Sequence, residues 1–394
     1  VALSPSIFFV AISSVVRGYF NGRQNLKATA NSQTIEQVFK TCLTIIIVAV
    51  IGAFSSNNTI IMAAGANLAT TLSTFLSFAY LYLYYGERKK EIAQDIKSST
   101  NYKAYRIKDI IKTILSVSIP ISLSSLMSVI TKNIDAITVV SGLKTFMTEA
   151  SAKIQYGILA GKVDALTAVP LSLNIAFATA LVPTIASAKA VGNIQTARER
   201  TELSLLITIL IGLPCTVGMF VFAPQILNLL FPNANRGELL LQISSLTIIF
   251  SVLIQTVNAG LQGIGKIMVP ATALGIGVIV KYILNLILIK NPSIGVYGAG
   301  IASLCCNVVV FLIGITVLIK NMKLQLDLGK FVIKPILSTG MMAIVSLYVY
   351  NVLQKLIANQ LATVISIACA GIIYIISLLI LKNLTKEEIY KMPK

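Results

Sequence analysis

The 394-residue sequence has no histidine, five cysteines and 14 acidic residues against 32 basic ones. Without histidine, Ser-His-Asp and Cys-His catalysis, HExxH zinc chemistry and haem ligation through imidazole are excluded. Cys42, Cys215, Cys305, Cys306 and Cys369 all fall in apolar stretches. A thiol there behaves as a small hydrophobe, and the spacings suggest neither a disulfide framework nor a zinc site. Charged residues of both signs make up only 12% of the chain, half the usual share of a soluble domain at roughly 25%. Neither an enzyme nor a cofactor or metal site is expected.

Apolar residues fill the space left, at 56% of the chain with a mean hydropathy of +0.85. They gather into eleven long stretches, at roughly 1–20, 33–54, 59–85, 110–140, 155–187, 203–223, 239–262, 268–290, 296–319, 332–354 and 360–381. About 20 apolar residues cross a bilayer core as a helix. Unsatisfied peptide groups cost several kcal/mol each in lipid, so spans of this kind are helices that satisfy their own backbones. The expectation is an all-α integral membrane protein.

Charge placement gives the topology. Of the 32 Lys and Arg, 22 lie in alternate gaps, on one side. The opposite gaps hold Lys144, Lys153, Arg236, Lys290 and Lys355. By the positive-inside rule the first side is cytoplasmic. The excess of basic residues therefore reports orientation in a plasma membrane, with a cytoplasmic C-terminus and anionic lipids as neighbours. Nucleic acid is not an expected partner. Eleven crossings put Val1 outside, and the chain opens partway into an apolar run (Val1 to Val16) without Met or signal peptide; it reads as N-terminally truncated.

Gly260-Leu261-Gln262-Gly263-Ile264-Gly265-Lys266 fits the GxxxxGK phosphate loop, but Ile267 stands where Ser or Thr must ligate magnesium. No soluble strand precedes it, so an ATP site is not expected there. A stronger signal is an internal repeat at an offset of 241 residues. It lays Phe20-Asn21-Gly22 on Leu261-Gln262-Gly263, Ala30 on Ala271, Lys40 on Lys281 and Leu43 on Leu284. Both copies run the same way through the membrane, as parallel repeats of a transporter do.

Five basic residues lie inside the expected spans: Arg17, Lys40, Lys132, Lys162 and Lys281. In the second span, Gln33, Glu36, Gln37, Lys40 and Thr44 make one polar stripe. Ser125, Ser128, Lys132 and Asp135 share a face of the fourth, Lys162, Asp164, Thr167 and Asn174 surround Pro170 in the fifth, and Gln255, Asn258 and Gln262 line the seventh. Charges at such depth cost roughly 2.5–3.5 kcal/mol each and turn toward a cavity or a partner. Arg17 and Lys162 either line a cavity or snorkel to a membrane face. Glu36 and Lys40 either face a cavity or pair with each other. Pro120, Pro170, Pro183 and Pro214 are expected to interrupt helices and permit bends.

Ser13-Ser14-Val15-Val16-Arg17-Gly18-Tyr19-Phe20-Asn21-Gly22-Arg23-Gln24-Asn25, followed by Ser32-Gln33-Thr34-Ile35-Glu36-Gln37, resembles the stage V sporulation protein B group. That group belongs to the multidrug/oligosaccharidyl-lipid/polysaccharide (MOP) exporter superfamily, with the MurJ/MviN-type lipid II flippases. Ile119-Pro120-Ile121-Ser122, Asn133-Ile134-Asp135-Ala136, Leu181-Val182-Pro183, Gly212-Leu213-Pro214 and Leu261-Gln262-Gly263 extend the resemblance. It implies a two-lobe, MATE-like helical bundle with parallel repeats, of which this chain carries about 11 of 14 helices. The corresponding division is the remainder of an N-lobe at 1–85, a cytoplasmic linker at 86–109, a C-lobe at 110–319, and two further spans with a cytoplasmic tail at 320–394.

The function this implies is export of an undecaprenyl-pyrophosphate-linked saccharide, lipid II or a related polysaccharide precursor, by alternating access. Arg17, Glu36, Lys40, Lys132, Lys162 and Asp164 are the cavity candidates for this lipid-linked substrate. A MATE-like drug or cation antiporter is the alternative, and a non-transporting partner of cell-wall or spore-cortex synthesis proteins the third class. By resemblance to sodium-dependent relatives, Asp135, Lys281, Asn285 and Asn307 are the ion-coupling or gating candidates. Lys281 stands where an oxygen ligand is expected, so a Lys281–Asp135 pair is expected in place of the ion.

Overall fold

The computed structural model describes residues 3–381 apart from 24, 55–58, 99–105 and 233–235. Among the described residues there are twelve helices and no strand. They are α1 (Ser4–Gly22), α2 (Leu26–Phe54), α3 (Thr59–Ser98), α4 (Ile107–Leu143), α5 (Glu149–Ala190) and α6 (Ile194–Val221). The short α7 (Ala223–Leu230) follows, then α8 (Glu238–Gly263), α9 (Met268–Leu288), α10 (Tyr297–Met322), α11 (Gly329–Leu353) and α12 (Asn359–Ile380).

Ten of these, all but α1 and α7, are long and apolar enough to cross a membrane. The eleventh expected crossing, α1, falls short because Arg17, Asn21 and four serines dilute its apolar run. The four prolines do not interrupt helices as expected. Pro120, Pro170, Pro183 and Pro214 all sit inside continuous ones. Irregularity comes instead from two wide π-type turns without proline, Leu159–Val163 inside α5 and Gly329–Ile333 opening α11. The chain also stays helical through Ser98, so residues 86–98 of the expected linker continue α3. Residues 99–105 of that linker and 382–394 of the tail lie outside the described residues.

The helices form two compact units, Val1–Arg106 and Ile107–Lys394. In the first, α3 packs on both α2 and α1. Phe20, Ala28 and Leu81 are buried at its centre against Val16, Tyr80 and Tyr84. In the second, α8 is the central helix, lying against α5, α6 and α10. Leu181, Ile185, Leu206, Leu261 and Leu318 fill one end of this core, and Val139, Val163, Leu227, Leu241 and Ile289 the other. Lipid tails are as apolar as leucine, so such helices associate through close fit, and small residues permit it. A Cβ added to Gly277 of α9 would lie 2.5 Å from Val310 Cγ2 of α10, and one on Gly212 of α6 2.7 Å from Val252 Cγ2 of α8. Helices α11 and α12 pair with each other and dock on α6, where Tyr374 Oη donates to Leu210 O at 2.7 Å.

The sequence repeat recurs in the backbone. In each unit a helix, a short turn and two further helices follow, α1–α2–α3 and α8–α9–α10. Arg23 N donates to Tyr19 O at 3.3 Å and Asn25 N to Phe20 O at 2.9 Å. At the same offset of 241, Ile264 N donates to Gly260 O at 3.1 Å and Lys266 N to Leu261 O at 2.8 Å. Both turns thus return donors to the last carbonyls of the preceding helix, which otherwise lack partners.

Candidate functional site: charges within the membrane helices

In the first unit, Arg17 is an internal residue with three partners. Its Nη2 meets Glu36 Oε2 at 2.9 Å and donates to Ser77 Oγ at 2.8 Å, while Nε donates to Ser32 Oγ at 2.9 Å. Ser77 Oγ in turn donates to Ser32 O at 3.0 Å. Ser32 and Ser77 are buried, and the cluster joins all three helices. This corrects two of the open alternatives: Arg17 does not snorkel, and Glu36 pairs with Arg17 rather than with Lys40. One turn on, Lys40 is exposed and has no ion-pair partner among the described residues. Gln33 and Gln37 are exposed with it.

The second unit holds the other contact pair. Lys281 Nζ of α9 lies 2.5 Å from Asp135 Oδ2 of α4 and donates to Thr131 O at 3.0 Å. Asn285 Nδ2, one turn along α9, donates to Asp135 Oδ1 and to Thr138 Oγ1, both at 2.9 Å. Lys281 and Asn285 are 3% and 1% exposed, so this pair is desolvated and every Asp135 oxygen is engaged. Asn285 Oδ1 remains buried without a partner. Asn307 is not part of the cluster; its Nδ2 donates to Ser251 Oγ of α8 at 2.9 Å.

Asp164, exposed on α5, lies within electrostatic reach of Asp135, Lys281 and Lys132. Ser125, Ser128 and Lys132 are exposed along α4. Lys162 sits in the π-type turn with its Nζ 5.1 Å from the centroid of Phe231. Wide turns of this kind recur at functional positions, because they re-aim the side chains that follow.

Asn174 belongs to a separate, fully buried network that no single span revealed. Its Nδ2 donates to Val252 O and Gln255 Oε1, each at 3.0 Å, and its Oδ1 accepts from Thr208 Oγ1 at 3.0 Å. Thr208 and Thr256 hydroxyls lie 2.7 Å apart. Asn174 on α5 thereby ties α6 to α8 in the centre of the unit, and it is not a cavity residue. Next to it lies an apolar groove of about 350 Å³ between α5–α6 and α11–α12. Pro170, Leu173, Pro214, Phe222, Met342 and Ala370 line it.

The GxxxxGK segment is not a phosphate loop. A phosphate loop points free backbone N–H groups at the anion from a helix N-terminus. Here the segment closes the C-terminus of α8, and the N–H groups of Ile264, Gly265 and Lys266 are spent on Gly260, Gln262 and Leu261 carbonyls. Gly265 takes φ +80°, the left-handed conformation that glycine readily supplies at such a helix end.

Two family models match the chain: polysaccharide biosynthesis protein over residues 1–189 and MatE over residues 159–287. Stage V sporulation protein B of Bacillus subtilis (strain 168) is 26% identical over 404 residues, covering all of this chain and 74% of that protein. The lipid II flippase MurJ of the same organism is 26% identical over 294 residues, covering 73% of this chain and 54% of its own length. Among solved structures, lipid II flippase MurJ in an inward closed conformation superposes with a TM-score of 0.61 at 17% identity, covering 96% of this chain and 73% of that one. An outward-facing multidrug MATE transporter gives 0.63 at 16% identity, covering 82% and 68%. These likenesses show the fold, an all-helical bundle with many helices long and apolar enough to cross a membrane. In sequence the chain is similar to the polysaccharide biosynthesis and MatE families, and to stage V sporulation protein B and MurJ.

Proposed function

We propose that the chain serves a flippase that moves an undecaprenyl-pyrophosphate-linked saccharide across the plasma membrane by alternating access, its C-terminus cytoplasmic. The observation that carries this reading is the balance of charge within the spans. Arg17 and Lys281 are each held by a carboxylate, Glu36 and Asp135. Apart from these pairs the spans of the first unit add Lys40, and those of the second add Lys132 and Lys162 with Asp164. A net positive charge within the spans of each unit suits a pyrophosphate. The apolar groove beside Pro170 and Pro214 offers a surface on which an isoprenoid tail can lie without crossing polar groups.

The MatE match over residues 159–287 supports the second reading, a drug or cation antiporter. Such a site needs carboxylates free to meet a cation, and both of the deepest acids already hold one. A non-transporting role in cell-wall assembly is the third. Within the flippase reading, Lys281 acts as a tethered cation at Asp135. A hard ion such as sodium would be repelled by the ammonium, so transport is expected to be independent of sodium.

The test is binding of lipid II to the full chain in lipid bilayers. Lys40→Gln, Lys132→Gln and Lys162→Gln should each weaken binding about fivefold at low salt, the equivalent of ~1 kcal/mol, and less at high salt. Unchanged binding in all three, or tight binding of a cationic drug in their place, would favour the antiporter instead. Sodium-stimulated transport by the unmodified protein would overturn the tethered-cation role alone.

A further inference from the structure

The two turns related by the 241-residue offset each cover a cleft. In the first unit it measures about 200 Å³ and is bounded by Arg23 and Asn25 of the turn, Arg88 and Glu91 of α3, and the apolar Phe20 and Ile92. In the second it measures about 130 Å³, between Ile264 and Lys266 of the turn, Lys189 at the end of α5, Asn321 at the end of α10, and the apolar Ile194 and Met322. Residues 23 and 25 correspond to 264 and 266. The turn is thus common to both clefts, while their remaining walls come from non-equivalent positions. Both sit at the ends of spans on the side that carries most of the Lys and Arg.

Each cleft sets two cations over an apolar floor. Three of the four cations, Lys189, Arg23 and Arg88, are placed by other contacts. Lys189 Nζ donates to Ile264 O at 2.6 Å, which holds the ammonium at the turn. The Arg88 guanidinium lies 4.8 Å from the Tyr84 ring centroid and that of Arg23 5.9 Å from Tyr19. Stacking of this kind occupies the guanidinium face and leaves edge N–H groups for an acceptor. Arg23 also pairs with Asp95, and Arg88 Nη1 lies 3.8 Å from Glu91 Oε2. The first cleft is thus partly neutralised by its own carboxylates. The second has Lys189 and Lys266 and no carboxylate among its lining residues.

We infer that each cleft takes the phosphodiester of an anionic phospholipid from the cytoplasmic leaflet, the cleft at Lys189 and Lys266 more tightly than the one at Arg23 and Arg88. The apolar surface distinguishes this from a site for free phosphate, which would gain nothing from the buried Phe20, Ile92 and Met322 or from the exposed Ile194 at the rim. A lipid presents its phosphate at the membrane boundary with its glycerol and chains below, in the order in which cation and floor are stacked. The inference stands apart from the cargo, since none of these residues belongs to the intramembrane clusters.

Native mass spectrometry of the full chain in detergent, with phosphatidylglycerol or phosphatidylcholine added, tests it. The unmodified protein should retain phosphatidylglycerol with roughly tenfold preference, in two adducts of unequal strength. Lys266→Glu should remove the stronger and Arg88→Glu the weaker, and the double variant both. Lys266 is exposed, so its variant should keep the lipid-free unfolding temperature; a common fall in that temperature would mark a folding defect, for which Lys266→Gln with half the charge change supplies the check. Equal retention of phosphatidylcholine, or a stronger adduct surviving both Lys266 variants, overturns the inference. Displacement of the lipid by an equal concentration of inorganic phosphate assigns the clefts to a cytosolic anion and overturns the lipid.

Discussion

The two units solve the same problem, a charge inside a membrane helix, with different means. In the first, Arg17 spreads its fork over a carboxylate and two serine hydroxyls drawn from α2 and α3. In the second, Lys281 concentrates on Asp135, and an amide from its own helix completes the carboxylate. The surroundings differ as well. None of the most apolar stretch of α2 is buried within its unit, against 28% of that of α9, which carries Lys281. The Arg17–Glu36 side chains are 17% and 22% exposed, against 4% and 15% for Lys281–Asp135. The comparison teaches that a planar, multi-donor cation tolerates a loosely covered site because several weak acceptors share it. A point charge on a flexible stem needs one strong partner and close packing.

The largest effect should come from separating the tighter pair. Lys281→Ala leaves Asp135 buried and uncompensated, and should lower stability by about 3–5 kcal/mol. Lys281→Ala with Asp135→Ala should recover much of that loss. Thermal unfolding of the four proteins in detergent forms the cycle, and additive losses would show that the two residues are not coupled.

A middle-sized contrast lies in the repeated turn itself. Gly22 and Gly263 are equivalent positions, yet a Cβ at Gly263 would lie 2.7 Å from Ile185 Cβ, while nothing stands within 4 Å of one at Gly22. Gly263→Ala should therefore cost about 1–3 kcal/mol by overpacking. Gly22→Ala should be neutral or gain slightly from helix propensity. Equal effects at both would mean that the second unit is as loosely packed at this turn as the first. The smallest loss expected at the charged sites is that of Arg17→Lys, which keeps the charge at Glu36 but loses the fork to Ser32 and Ser77. A loss of about 1 kcal/mol is expected, readable as a shift in unfolding temperature, and a loss as large as that of Lys281→Ala would erase the distinction between the two sites.

Much of this architecture is written in hydropathy. Apart from α2, α5 and α6, which start several residues ahead of their apolar stretches, and the long α3, the spans fall within a few residues of those stretches, because a bilayer-crossing helix has little freedom of length or composition. The extension of α3 through Ser98 carries Glu87, Arg88, Lys89, Lys90 and Glu91, which read as a break in an apolar run but are good helix formers. The π-type turn at Leu159–Val163 leaves no mark in the hydropathy. Partners on different helices divide in the same way. Lys281 and Asp135 were legible together because the resemblance made both positions part of one ion-coupling set, in which Lys281 stands where an oxygen ligand is expected. Arg17 and Glu36 were not, because helix rotation decided their meeting and Lys40 offered a nearer partner along the chain. Asn307 shared the chemistry of the second cluster but faces α8, a matter of rotation that residue type does not record.

The capped turns bear on how the protein is made. A helical hairpin leaving the ribosome must enter lipid before most of its eventual neighbours exist. At both turns the chain returns its own N–H groups to the preceding helix, so the bend is closed as soon as residues 25 and 266 have been synthesised. No later segment has to arrive to satisfy the last carbonyls of α1 or α8. Each hairpin can thus be delivered to the membrane as a finished piece, and the slow assembly of buried charges such as Asp135 with Lys281, 146 residues apart, is left to a stage when both helices are already in place.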